Sequence, residues 1–232
     1  MKLTTKIIGY GLACLGTATI ASLVRFEAAP EYVSAGYSAI VLALLATSWR
    51  TRHEIFTYQA LAMLGVTAFR ISLYNFYSMD KPAGSAWTSS LWAIGLLAAA
   101  VPFGFLLRKS ASTPASDQWF LKLSEHMEQP LFFVPVVLMA ILLLLKTPDL
   151  VTLAWGAEGV LVFLLALVAR ERSFRLTGLS LIMLCVGKVV VWDVWHYADA
   201  RARYLTLIGI GLILLVISFL YGRYREAFRE LL

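Results

Sequence analysis

Eight apolar runs follow one another along the chain, at 7–24, 33–49, 55–77, 87–107, 131–145, 150–169, 174–195 and 204–221. A helix needs about 20 residues to cross a bilayer, within a range of about 17 to 25. Most of these runs meet that length. The fifth is short and fits if Pro130 and Lys146 sit in the two interfaces, the lysine turning its ammonium up to water. Backbone in hydrocarbon must satisfy its own hydrogen bonds, which helices of this length do. The reading is therefore all-α and integral to a membrane, with eight transmembrane helices.

Composition agrees: 60% of the residues are hydrophobic and only 15% charged, where soluble domains carry about 25% charged residues. No stretch is left over for a sizeable soluble domain. The net charge of +6 lies in short clusters between apolar runs, a pattern of membrane topology rather than of nucleic-acid binding. With the N-terminus inside, one side receives Lys2, Lys6, Arg50, Arg52, Arg108, Lys109, Lys122, Arg170, Arg172, Arg175, Arg223, Arg225 and Arg229. The other receives only Arg25, Lys81, Lys146, Arg201 and Arg203. This asymmetry places both termini in the cytoplasm.

Two of the runs hold a basic residue and align without a gap. FTYQALAMLGVTAFRISLYNFY, from Phe56, lies on FRLTGLSLIMLCVGKVVVWDVW, from Phe174, at an offset of 118 positions. Arg70 then falls on Lys188, Tyr74 on Trp192, Asn75 on Asp193 and Tyr77 on Trp195. Pro30 falls on Pro148, Arg52 on Arg170 and Gly104 on Gly222. The expected architecture is two tandem parallel four-helix repeats, at 1–109 and 130–232, joined by a cytoplasmic linker at 110–129. Within the linker, Trp119, Phe120, Leu123 and Met127 recur at helical spacing, as in an amphipathic helix lying on the membrane surface. The first run reads as a crossing and not as a cleaved signal peptide, because the repeat gives it an uncleaved counterpart. Pro102 and Pro135 should each kink a helix.

A charge inside a membrane is costly, so an intramembrane ionisable residue is a functional candidate by default. Lys188 is seven residues from Trp195, and Glu158 eight residues from Leu150 on a helix of opposite direction. At about 1.5 Å per residue these depths are similar, so a structural ion pair between Glu158 and Lys188 is expected. In the first half the position of Glu158 is held by Ile40. Arg70 must then find Glu27, Glu31, Asp80, backbone carbonyls or an anion from outside the chain, and its planar fork suits phosphate or carboxylate.

Aromatic residues gather at the same level. The ligand- or lipid-binding set comprises Arg70, Tyr74, Asn75, Tyr77, Lys188, Trp192, Asp193, Trp195 and His196, a floor of rings and polar groups beneath a headgroup or glycan. The plainer alternative is an interfacial aromatic belt. Asp193 and His196, three residues apart, form an acid-base couple only if nothing simpler occupies them, such as Arg201 or Arg203. Cys14 and Cys185 lie in different runs with no CxxC spacing and read as small buried hydrophobes. There is no phosphate-cradling glycine loop, nucleophile elbow or cluster of metal ligands. No catalytic residue, metal or cofactor is assigned, and the sequence argues against an enzyme.

The last quarter of the chain, GKVVVWDVW and then RYLTLIGIGLILLVISFLYGRYRE, resembles a bacterial family of multi-pass membrane proteins of unknown function. The resemblance rests on Lys188, Asp193, Tyr204, Gly209, Gly211, Leu214, Leu215, Ser218, Tyr221 and Arg225. It implies a bacterial inner membrane and supplies no activity. The sequence thus points to a polytopic inner-membrane protein, a non-catalytic scaffold or lipid-binding subunit of envelope biology. The alternative is a small transporter or flippase for an anionic or lipid-linked substrate. Membrane lipids and other membrane proteins are the expected partners.

Overall fold

The computed structural model describes residues 2–76, 85–108, 126–146, 151–169, 172–189 and 200–223, and these are helical wherever they are not short turns. The helices are α1 (Lys2–Glu27), α2 (Val33–Thr51), α3 (Glu54–Arg70), a π-helical turn (Ile71–Asn75) and α4 (Ser85–Ala99). Then come α5 (Val101–Arg108), α6 (Glu128–Lys146), α7 (Val151–Ala169), α8 (Arg172–Lys188) and α9 (Ala200–Arg223). Among the described residues four helices are long and apolar enough to cross a membrane: Ile8–Glu27, Glu54–Asn75, Trp87–Leu107 and Glu128–Lys146. Val151–Ala166 and Leu207–Val216 are shorter apolar stretches. Helix α2 has the length, but Ser34, Ser38, Thr47, Ser48 and Arg50 dilute its hydropathy.

Several hydroxyl groups inside these helices are satisfied by their own helix. Thr17, Thr19, Ser38, Thr47, Thr51 and Thr67 each donate to the carbonyl four residues back, at 2.7 to 3.1 Å. That arrangement lets a hydroxyl enter an apolar setting without an unpaired donor. Pro102 acts as its chemistry requires. It has no N–H to give to the preceding turn, and the helix breaks at Ala100, where Ala100 N–H donates to Leu97 O (3.0 Å) and Phe103 N–H to Ala100 O (3.1 Å). Helix α6, by contrast, runs through Pro135 without interruption.

The chain divides into two compact units, Met1–Leu142 and Leu143–Leu232. In the first, α2 is central, with Val41 and Leu45 at zero exposure and α3 and α4 packed on it through Ala60, Leu64, Ile94 and Leu97. A tight turn joins α2 to α3: Arg52 takes a left-handed conformation (φ 59°) and gives its N–H to Ser48 O at 2.8 Å. Across that turn Ser48 Oγ and Thr57 Oγ1 share a 2.6 Å hydrogen bond.

The fifth apolar run belongs largely to this unit and not to the second half. Leu131, Leu138 and Leu142 enter the same core. Gly104 is the reason α6 fits: a Cβ there would stand 2.8 Å from Glu128 Cα, so only glycine lets α5 and α6 meet backbone to backbone. Helix α1 is the opposite case. Its crossing segment has no buried residue, and Leu15 and Phe26 are 65% and 86% exposed. It is held by Val24 against Gly36 and by Gln59, which accepts from Thr17 (2.9 Å) and donates to Cys14 Sγ (3.3 Å).

In the second unit α7 and α8 pack along their lengths through glycines. A Cβ on Gly178 would meet Phe163 N at 2.8 Å, and one on Gly159 would meet Ile182 Cγ1 at 2.8 Å. On α9, Gly209 lies directly over Leu153 of α7.

Candidate functional site

Arg70 is the last residue of α3 and introduces the π-helical turn. Such widened turns add a residue to the helix and re-aim the side chains around them. Here the turn carries the Tyr74 ring under the guanidinium, 4.6 Å from Cζ to the ring centroid. Arg70 Nη2 donates to Pro30 O at 2.9 Å, while Nε is buried and has no hydrogen-bond partner. Glu27 and Glu31 do not pair with it, and Arg70 has no carboxylate partner among the described residues. Instead a second positive charge, Arg25 in the last turn of α1, lies close enough to act on it. A backbone carbonyl and an aromatic face hold the cation in place, and neither carries a countercharge.

Asn75 turns inward from the same π-helical turn. It is 2% exposed, accepts from Ser34 Oγ at 2.9 Å and donates to Ser90 Oγ at 3.3 Å. Its amide thereby ties α2, the π-helical turn and α4 together. The sequence reading grouped Asn75 with ligand-facing residues; its polar atoms are committed inside the unit. Ser34 and Ser90, both fully buried, escaped that reading because an isolated serine in an apolar run gives no signal of where it points. Gln59 was missed for the same reason, although a lone amide within an apolar run was the clue available.

In the second unit Lys188 Nζ donates to Thr152 Oγ1 at 2.8 Å. Glu158 is 8% exposed, and neither of its carboxylate oxygens has a hydrogen-bond partner. The expected ion pair between Glu158 and Lys188 is not formed. The register of the two helices explains why. Gly159 faces Ile182 and Gly178 faces Phe163, so Lys188 arrives beside Thr152, six residues from Glu158, or about 9 Å along the helix axis. Tyr77, Trp192, Asp193, Trp195 and His196 lie outside the described residues, as does most of the linker at 110–129. Among the described residues no three of His, Cys, Asp and Glu are grouped as metal ligands.

The second unit, with its lysine-bearing helix followed by the glycine- and leucine-rich α9, lies largely within the part of the chain that is similar to a known family. Residues 136–224 match the family Predicted membrane protein (DUF2339). The DUF2339 match begins within α6 and takes in Thr152, Glu158, Lys188 and α9. The function of the family is unknown, so the match supports a membrane protein and carries no activity with it. Searches of curated proteins and of solved structures returned no match.

Proposed function

We propose that this is an eight-crossing protein of the bacterial inner membrane, with both termini cytoplasmic, that serves as a non-catalytic scaffold or lipid-binding subunit in envelope biology. Its ligand is an anionic headgroup held at the outer leaflet by Arg70. The observation that carries this reading is the guanidinium itself, which has a ring beneath it, one carbonyl beside it and a second arginine nearby, but no carboxylate among the described residues. An anion from outside the chain completes such a site, since hydrogen bonds between charged partners are about twice as strong as neutral ones. The Tyr74 side, 38% exposed, leaves room for a headgroup to approach.

Tandem repetition is supported by the elements themselves. Arg70, the last residue of α3, and Lys188, the last residue of α8, stand 118 positions apart. Helical geometry widens at Ile71 and again at Val189, the same offset. In each half the basic residue at the end of one helix reaches back to the start of the helix before it, Arg70 to Pro30 and Lys188 to Thr152.

The test is native mass spectrometry with lipid identification on gently purified wild type, Arg70→Leu and Arg70→Lys. An anionic lipid retained by the wild type should bind Arg70→Leu about tenfold more weakly, a change of about 1.4 kcal/mol, with Arg70→Lys between them. An unchanged lipid complement in Arg70→Leu would rule the reading out. A second reading, a small transporter or flippase for an anionic or lipid-linked substrate, is favoured by the buried and unpartnered Glu158.

A further inference from the structure

We propose that Glu158 carries an exchangeable proton and forms a proton-binding site within the second unit. The inference rests on the reading that α7 crosses the membrane, and it goes beyond lipid binding. Glu158 lies near the middle of α7, flanked in sequence by Ala157, Gly159, Val160 and Leu161. It is 8% exposed, and both carboxylate oxygens are buried without a hydrogen-bond donor. An ionised carboxylate offers about four acceptor positions. Left unpaired in an apolar setting, it costs far more free energy than one helix seam supplies, so the group is found neutral or paired.

Among the described residues none supplies the pairing. Helix α8 carries four ionisable groups: Arg172 and Arg175, placed toward the end of the seam near Phe163, Cys185, buried one turn beyond Ile182, and Lys188, which donates to Thr152. From α9, Tyr204 is the ionisable residue whose side chain is described, and it is exposed. What faces the level of Glu158 across the seam is Leu181 and Ile182, the residues packed on Gly159. A metal cation would ask for about six oxygens, and no ligand cluster exists among the described residues. A proton asks for one oxygen. It is therefore the occupant that this surrounding accepts.

Such a site gives the transporter reading a means of coupling. Loss of the proton leaves a charge that this seam does not tolerate, so release must accompany entry of a cationic partner or of water. Protonatable residues held in this way serve as relay and coupling points in membrane proteins.

The experiment is infrared spectroscopy of wild type and Glu158→Gln in liposomes at neutral pH. Glutamine is close in shape to the protonated acid, so the variant should fold. The expected result is a protonated-carboxyl carbonyl band in the wild type that shifts in heavy water and is lost from the variant. Only carboxylate bands in the wild type would overturn the proposal. A second variant, Glu158→Cys with Cys14 and Cys185 replaced, is exposed to a membrane-impermeant maleimide from both sides. No reaction is expected. Rapid labelling would overturn the crossing of α7 and the proton site with it, whereas an unlabelled cysteine together with a missing band would overturn the proton site alone.

Discussion

Asn75 shows how one side chain fixes the arrangement around the π-helical turn. Its two hydrogen bonds, to Ser34 and Ser90, are the side-chain links by which this turn is tied to α2 and α4. Asn75→Leu keeps roughly the volume but removes the acceptor of the buried Ser34 hydroxyl. Stranding a buried polar group costs about 1–3 kcal/mol, so the variant should unfold at lower temperature in detergent by that margin, read by intrinsic fluorescence or by a thiol-reactive probe. Leu73→Ala, at a position 58% exposed on the same turn, should change little. At this scale the sequence was informative about residue type and silent about partners. Arg70, Asn75, Lys188 and Glu158 stand out because polar groups in apolar runs are conspicuous. Hydropathy carries no information on helix rotation, which is what sends Arg70 to a carbonyl and a ring and Asn75 to two serines.

Between elements, the seam of α7 and α8 is the clearest case of sequence setting geometry. Glycines at 159 and 178 bring the two backbones close, with Ile182 and Phe163 filling the space each leaves. Gly178→Ala would place a methyl 2.8 Å from Phe163 N, backbone that cannot rotate away. The helices must separate, and overpacking of this kind costs about 1–3 kcal/mol. Thermal unfolding should register that loss, while Gly187→Ala, with nothing within 4 Å of its new Cβ, should be neutral or slightly stabilising through better helix propensity. Equal effects of the two would show that the seam is not the stabilising contact. The run at 33–49 is close to α2, Val33–Thr51, whereas Arg70, expected inside the run at 55–77, ends α3 and gives way to the π-helical turn. The register was not legible. Depths counted inward from Trp195 and Leu150 treat the ends of two apolar runs as level, whereas glycine packing sets Lys188 beside Thr152. The π-helical turn was equally hidden, since its residues, ISLYN, have nothing that distinguishes them from an ordinary helical turn.

For the molecule as a whole, the distribution of charge makes the sharpest claim. An eight-crossing arrangement would put thirteen lysines and arginines on one side and five on the other, while four described helices meet the length and hydropathy of a span outright. Helix α2 is the deciding element. It is 19 residues long, with Val33, Val41 and Leu45 fully buried by its neighbours. A helix shielded by its own protein can cross while carrying serines, because those serines bond to helix carbonyls, Thr57 or Asn75 and not to lipid. If α2 crosses, its two ends lie on opposite sides of the membrane, with the basic end at Arg50 and Arg52 inside. In a chain without Cys14 and Cys185, Tyr32→Cys should react with an impermeant maleimide added to spheroplasts, and Thr51→Cys only in inside-out vesicles. Both positions are exposed at the ends of α2, so lack of access should not mask the result. Labelling of both from one side would mean that α2 does not cross. The direction of every later helix, and the even crossing number on which two parallel halves depend, would then have to be reassigned.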